Sequence, residues 1–267
     1  MGERAGIALC LMTIFAADRR AAAADADVAA NAPPSTWRVN AGLNLIYLRA
    51  SARTLTFSGQ ASLERKTPEW IFGVKANGAY GTSRPAGSAD SQVVALAAAL
   101  QARVDRWFSQ SVSAYVLGGI ETDHVQSVEA REYGEAGASM VWFDIKEADY
   151  SKIFLRTDLG LRYQYESRFQ YYPTPMREPG VTLVAPRLGA VFRYAFSKGT
   201  IFSEEAEVLP NIAGDARVLI NSQSKLTALL TGALSFPAGY GVKFDSAPAS
   251  GKVDTETTLT LGLEVAF

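Results

Sequence analysis

The residues with the greatest chemical potential are charged side chains that recur at every second position of otherwise apolar segments. In the clearest segment, Arg156, Asp158 and Glu166 share one face, and leucines and tyrosines occupy the other. This period of two is that of a β-strand with a polar and an apolar face. The charged residues that the alternation places on polar faces are Lys75, Arg103, Glu121, Arg131, Arg156, Asp158, Arg162, Glu166, Arg187, Arg193, Lys243 and Glu264.

If the polar faces of these strands together line the lumen of a barrel, the charges have two possible interpretations. Arginines and lysines could make a polar, arginine-biased pore for small solutes, anions among them. Alternatively, opposite charges on nearby strands could pair with each other, so that the network plugs a narrow interior and stiffens it. The mixture of signs is compatible with both interpretations.

His124 is the only histidine, and it follows Asp123 in a predicted outer loop. A histidine beside a carboxylate could activate water, as in barrel hydrolases of the protease or phospholipase type. The alternative is a solvated loop residue without a catalytic role. One imidazole excludes a histidine cluster for a metal ion. Because no Walker loop, Rossmann glycine set or nucleophile elbow is present, we predict no cofactor.

The composition restricts the class of protein. The formal net charge is -1 over 267 residues, so no global field attracts nucleic acid. No stretch reaches the roughly 18 to 20 apolar residues of a membrane helix. Residues 1–26 resemble a signal peptide, with Arg4 before an apolar run that holds the single cysteine, Cys10, and an A-x-A site at residues 24–26. Residues 27–35 would then form a short periplasmic tail.

The last stretch, residues 253–267, alternates without interruption and ends on an aromatic residue. Leu263, Val265 and Phe267 lie on its apolar face. An outer-membrane barrel would turn this face to lipid and the other face to the lumen. A terminal strand that ends in phenylalanine also resembles the signal read by the outer-membrane assembly machinery, which we therefore expect as a partner.

Alternation continues through residues 36–267 and predicts twelve strands, an even number typical of single-chain bacterial barrels. The weakest is 91–104, whose alanines favour a helix and which we assign as a strand because its neighbours need one. Glu204 shares a face with Phe202 and Ala206, which costs little if it lies near an interface. The predicted strands are 37–48, 53–65, 69–81, 91–104, 111–123, 128–143, 151–166, 181–196, 200–209, 216–228, 232–245 and 253–267.

The aromatic residues support a transmembrane β-barrel. If the first strand rises from the periplasm, all four tryptophans fall at the periplasmic rim and several tyrosines fall at the opposite rim. Two such girdles mark the membrane interfaces of barrels. The alternative fold is a secreted, soluble β-sandwich that binds a ligand. The predicted girdle residues are Trp37, Trp70, Trp107, Trp142, Tyr47, Tyr80 and Tyr165.

Several local patterns resemble a known family. They are Asp105-Arg106-Trp107-Phe108-Ser109, Glu121-Thr122-Asp123, Glu129-Ala130-Arg131, Asp158-Leu159-Gly160-Leu161-Arg162-Tyr163 and the closing segment from Asp245 to Phe267. In this order they resemble the bacterial barrels of domain-of-unknown-function family 481, described as YdiY-like or salt-induced outer-membrane proteins. The resemblance implies a β-barrel in the outer membrane of a Gram-negative bacterium, in contact with its lipid. It implies no substrate.

These observations together predict an exported, non-enzymatic barrel, either a small-solute channel or a structural component of the envelope. The aromatic and proline-rich segment 167–180 is expected to be a long loop that folds in and caps the outer mouth.

Overall fold

The computed structural model describes residues 36–49, 52–85, 90–147, 150–171 and 174–266. The predicted signal peptide, the predicted periplasmic tail and Phe267 lie outside the described residues. In the described part, no helix is long and apolar enough to cross a membrane.

Strands make up nearly all of the described chain. Residues 91–104, for which alanine content favours a helix, belong to a strand because both neighbouring strands pair with it. The strands are β1 (Thr36–Arg49), β2 (Ala52–Lys66), β3 (Trp70–Pro85), β4 (Gln92–Trp107), β5 (Val112–Asp123), β6 (Val128–Glu147), β7 (Tyr150–Gln170), β8 (Met176–Ser197), β9 (Thr200–Pro210), β10 (Val218–Leu229), β11 (Leu234–Asp245), β12 (Thr255–Leu261) and β13 (Leu263–Ala266).

The strands form one antiparallel sheet in which chain neighbours pair, and the sheet closes where β13 meets β1. β12 and β13 are two parts of one wall strand, interrupted at Gly262, and both pair with β11. A side chain at Gly262 would overlap the side-chain amide of Asn44 on β1, so any larger residue there would displace that amide. The prediction of a closed antiparallel barrel with twelve wall strands is confirmed.

The two faces of the wall differ sharply in chemistry. On β7, Leu159 is 64% exposed on the outer face, whereas its neighbour Asp158 is only 2% exposed on the inner face. Large apolar side chains are exposed in the same way around the barrel, and the buried residues are mostly polar or charged. This inverts the arrangement of a soluble protein and is the arrangement expected of a barrel whose outer face meets lipid.

The barrel has a turn end, where β1 begins and short turns join the strands, and a loop end, where the other connections lie. Several strands exceed the predicted bounds, whereas β10, β11 and β12 each begin two residues later than predicted. β4 continues through Asp105 to Trp107, and β6 continues to Glu147. Segment 167–180 is not a long loop, because β7 reaches Gln170 and β8 begins at Met176, so the expected capping loop is wrong.

The final strand provides a test of which face meets lipid. Leu261 points outward and is 49% exposed, whereas Thr260 points inward and its hydroxyl donates to the Gly239 carbonyl at 3.4 Å. Leu261→Arg should lower the free energy of unfolding by roughly 2 to 4 kcal/mol, the cost of arginine in the middle of a lipid-facing wall. Thr260→Arg should cost much less, because the lumen already holds charges. Urea unfolding in lipid vesicles measures both. A larger loss for Thr260→Arg would mean that the faces are inverted.

Candidate functional site

All twelve charged residues that alternation placed on polar faces lie on the inner face of the barrel. Six of the residues are arginines, and the side chains around these arginines decide what the lumen can do. The twelve are Lys75, Arg103, Glu121, Arg131, Arg156, Asp158, Arg162, Glu166, Arg187, Arg193, Lys243 and Glu264. Most of them take part in ion pairs, which form three clusters between β4 and β11.

The first cluster joins β4, β6 and β7 nearest the turn end. The Arg103 guanidinium lies 2.5 Å from the Asp105 carboxylate and 3.3 Å from that of Asp158. It also donates to the Ser139 hydroxyl at 2.8 Å. Arg156 approaches Asp158 to 3.0 Å. Two arginines therefore face two aspartates, and the cluster carries no net charge.

The second cluster lies at mid-height and is centred on Glu135, whose side chain is fully buried. Arg162 approaches the Glu135 carboxylate to 2.7 Å, and Arg187 approaches it to 3.3 Å. Tyr115 donates its hydroxyl to the same carboxylate at 2.5 Å. Arg187 also reaches Glu207 at 2.5 Å. The two arginines are again matched by two carboxylates.

The third cluster, near the loop end, is centred on Glu166. Arg131 lies 2.6 Å from its carboxylate, Arg168 also lies 2.6 Å from it, and Arg217 lies 3.3 Å from it. Three arginines around one buried carboxylate need further anions. Glu121 and Asp245 supply them.

Glu121 pairs with Arg131, and Asp245 pairs with Arg217 at 2.5 Å. The third cluster therefore also holds three arginines and three carboxylates. Hence each cluster is neutral in itself, and the arginines that suggested an anion pore are paired with carboxylates. This is the internal network that the second interpretation of the charges anticipated.

A cavity of about 220 Å³ lies against this network. Its far wall comes from β10 to β12 and includes Gln223, Lys243, Glu256 and Thr258. These amide, ammonium, carboxylate and hydroxyl groups can bind water or a small polar solute. The two walls together make a polar chamber within the barrel.

The mouth loop, residues 246–254, covers this chamber at the loop end, with Ala249 almost fully buried. The Arg168 guanidinium donates to the Ala247 carbonyl at 3.2 Å. The Ser250 backbone N–H donates to the Glu178 carboxylate at 3.2 Å. The loop that covers the mouth is therefore the β11–β12 connection, held by the ion-pair network and by β8.

Several members of the clusters were not among the candidates from the sequence. Asp105 is predicted to lie in a turn. Glu135 has the parity of Arg131 on the same predicted strand, so alternation could have identified it. Glu207 could also have been found, because placing Glu204 on the apolar face puts every odd residue of β9 on the inner face. Arg168 lies beyond the predicted end of its strand, and Arg217 lies in predicted strand 216–228, for which no face was assigned.

His124 lies in the turn between β5 and β6, where its ring stacks on Tyr171 with 3.9 Å between centroids. Phe169 packs edge-on against Tyr171 at 4.8 Å. The neighbouring Asp123 carboxylate accepts a hydrogen bond from the Gln126 backbone N–H at 3.2 Å. Burial lowers the pKa of His124 below its usual value. Among the described residues, no group of three or more potential ligands could hold a metal ion.

The four tryptophans lie toward the turn end, as expected, but one of them does not face outward. Trp37, Trp70 and Trp142 are exposed on the outer face toward the turn end. Trp107 also lies at the turn end, but it has the parity of Arg103 and Asp105 and so belongs to the inner face. It therefore does not join the outward girdle.

At the loop end, Tyr80 and Tyr165 are exposed on the outer face. Tyr47 belongs to β1, but its side chain is not among those that the structure describes. Of the terminal signal residues, Leu263 is exposed on the outer face, Val265 is half-buried, and Phe267 is outside the described residues.

The sequence profile of the family described as Protein of unknown function, DUF481, matches residues 39–267. The chain belongs to this family. The resemblance expected from the local patterns is thereby confirmed. No curated protein matches the chain.

Several solved structures share the barrel fold with this DUF481 chain. The NanC porin is 12% identical, with a TM-score of 0.46, and the match covers 86% of this chain and 99% of that one. The KdgM porin is 11% identical, with a TM-score of 0.44 and coverage of 87% and 99%. The translocator domain of the autotransporter NalP from Neisseria meningitidis is 10% identical, with a TM-score of 0.42 and coverage of 91% of both chains. Similarities of this size add nothing to what the residues of this chain show.

Removing Glu166 from the DUF481 barrel should be strongly destabilising. Glu166→Ala leaves three arginines near the loop end without their shared carboxylate, and breaking a buried pair in this way costs about 3 to 5 kcal/mol. Glu166→Gln should cost less, because the amide oxygen still accepts hydrogen bonds. Urea unfolding followed by tryptophan fluorescence measures the losses. The control is Glu69→Ala in an exposed turn, which should change stability by less than about 0.5 kcal/mol. Equal effects of Glu166→Ala and Glu69→Ala would contradict a structural role for the cluster.

His124 should titrate below pH 6.5, the usual pKa of histidine, because its folded environment disfavours the charged ring. The unfolded chain then binds this proton more tightly, so the stability that the stacked ring contributes is complete above about pH 6.5 and is lost as the pH falls. The imidazole resonances of this single histidine report the midpoint by NMR. Tyr171→Ala should move the midpoint back toward 6.5. A wild-type midpoint above 6.5 would show that the ring is not desolvated.

Proposed function

We propose that this protein is an outer-membrane barrel that admits small polar solutes through its lumen. The observation that carries the proposal is the polar chamber of about 220 Å³ between the ion-pair network and the far wall. Its lining includes amide, ammonium, carboxylate and hydroxyl groups that can bind water or a small polar solute. The exposed apolar outer face and the outward aromatic rings at both ends support the membrane location.

In this proposal the turn end faces the periplasm and the loop end faces the outside, as in bacterial barrels with short periplasmic turns. The mouth loop then lies across the external entrance. Because the clusters beneath it are neutral, the lumen offers weak selection by charge, and exclusion depends mainly on size. The arginine-biased anion pore is thereby replaced by a pore of mixed polarity.

The protein is non-enzymatic in this proposal. The His124 imidazole stacks on Tyr171, and the adjacent Asp123 carboxylate accepts a hydrogen bond from the Gln126 backbone N–H. A catalytic dyad would instead need the carboxylate to orient the ring. Lys243 and Glu256, which pair side by side on β11 and β12, line the chamber and offer a solute groups of both charges.

A structural role in the envelope is the second candidate, and the three neutral clusters favour it. Networks of this kind stiffen a wall, because arginines such as Arg131 bridge carboxylates on different strands. A barrel used only for stiffness would conduct no ions above the leak of the lipid.

Planar-bilayer recording distinguishes the two roles. The wild-type protein, extracted from the outer-membrane fraction, should give discrete conductance steps and a reversal potential near zero in a KCl gradient, because the clusters are neutral. Thr258→Trp, on the buried chamber wall, should lower the conductance severalfold by filling the chamber. Thr257→Trp is the matched control, one residue away on the exposed outer face, and should leave the conductance unchanged.

Absence of steps in the wild-type recording would favour the structural role. Steps that are equal in the two variants would show that ions do not pass through the chamber. Recovery of the protein only from the soluble periplasmic fraction, without a change of gel mobility on boiling, would contradict the membrane location itself.

A further inference from the structure

The outer face of the barrel carries one feature that a lipid-facing wall does not need. Glu204 on β9 points outward, as its shared face with Phe202 and Ala206 suggested. Its carboxylate accepts a hydrogen bond from the Ser222 hydroxyl at 2.7 Å and another from the Ser224 hydroxyl. We call these three residues the polar notch. The notch takes no part in the ion-pair network of the lumen.

The register of the strands gives the height of the notch. Trp37 on β1 pairs with Arg65 on β2, and Arg65 pairs with Phe72 on β3. The residue of β3 that lies at the same rim as Trp37, however, is Trp70, two residues nearer the turn end than Phe72. A row of paired residues therefore climbs by about one residue per strand relative to the rim, as the shear of a closed barrel requires.

The same relation fixes the height of Glu204. Phe143, next to Trp142, lies opposite Leu155, which lies opposite Phe192, which lies opposite Glu204. Phe143 lies one residue nearer the turn end than Trp142, and three strands of climb raise the row by about three residues. Glu204 therefore lies about two residues, or roughly 7 Å, above the tryptophan level, inside an apolar band about 25 Å tall.

The carboxylate also does not turn back toward the rim. Ser222, which donates to it, lies in the row on the loop-end side of Glu204, because Ser222 pairs with Ala206. A long polar side chain near an interface normally extends toward the headgroups. Here the two serines hold the carboxylate at its own height, where lipid offers only acyl chains.

A row of small residues runs beside the notch on the outer face. Thr157, Ala190, Ala206 and Ser222 lie opposite one another on four successive strands. The next row toward the loop end is bulky, with Leu159, Leu188, Val208 and Ile220. The small row is thus a shallow trough, and small residues allow another backbone to approach closely within a membrane.

A polar group in hydrocarbon is costly unless it is satisfied by protein, so an intramembrane carboxylate marks a functional contact. The two serines satisfy Glu204 within its own copy, but the notch as a whole still faces acyl chains. We propose that this face binds a second copy of the chain, so that the notch and trough of each copy leave the lipid and pack against those of the other. The proposal rests on the membrane location proposed above but not on solute conduction.

A second copy is the occupant that the chemistry favours, because the face is complementary to itself. Two copies inserted in the same direction are related by a twofold axis along the membrane normal, so each height meets the same height. With the axis between β9 and β10, the carboxylate-bearing strand of one copy faces the serine-bearing strand of the other. The small residues of the troughs then let the two walls approach closely.

Cysteine cross-linking in native outer membranes tests the proposal directly, since residues 36–267 contain no cysteine. Ala206→Cys, in the floor of the trough, should give a disulfide-linked species at twice the monomer mass when an oxidant is added. Thr257→Cys is the control, because it is exposed on the outer face of β12, two strands beyond the serine-bearing β10. Adding Glu204→Leu to Ala206→Cys should abolish the cross-linked species.

Native mass spectrometry of the protein released from detergent provides an independent measurement. Wild type should appear as an oligomer, and Glu204→Leu should appear as a monomer that keeps its change of gel mobility on boiling, which shows that the barrel is folded. A monomeric wild type, or an oligomer unaffected by Glu204→Leu, would overturn the proposal. Equal cross-linking through Thr257→Cys and Ala206→Cys would also overturn it, since contact would then be random. A protein found only in the soluble fraction would refute the membrane location instead.

Discussion

The constraint on which the structure depends is that a strand within a membrane needs hydrogen-bonding partners on both sides. Lipid offers no donors or acceptors, so an open sheet edge would leave a row of backbone groups unsatisfied. Closure of the sheet between β1 and β13 removes the free edges over the residues that pair. Once the wall is closed, alternation has only one meaning, because every side chain points either to the outside or to the lumen. The apolar rows and the charged interior both follow from this geometry.

The interior then poses an electrostatic problem, since arginines on an inner face cannot all be solvated in a narrow lumen. The barrel solves it by local neutrality, as at Glu135, where two arginines and a tyrosine hydroxyl converge. Neutral clusters lower the cost of burying charge, and each bridges strands already joined by backbone bonds. The consequence is an asymmetric lumen, with a tightly paired wall from β4 to β9 and a more open chamber against β10 to β12.

Alternation and turn chemistry predicted most of the fold, because a period of two is a local property of the chain. What failed depended on contacts between strands. The prolines and aromatic residues of segment 167–180 are typical of a loop. In the structure, hydrogen bonds between β7 and β8 continue beyond Glu166 and extend the hairpin into this segment. Trp107 was assigned by height alone, whereas its face depends on the continuation of β4 past Asp105. The partners of Glu135 could not be predicted, because side chains on different strands come together only when register and curvature are known.

The closing seam also has a consequence for how the barrel forms. Every other pairing joins strands that are neighbours in the chain, whereas Asn40 and Ala266 pair across almost its full length. Among the described residues, four residue pairs must overcome the entropy of closing such a loop, so this contact should form last. The strands that carry the arginine clusters are contiguous, and their hairpins can assemble one after another while the sheet is still open. Pairing of β13 with β1 would then close a sheet in which the arginine clusters have already formed.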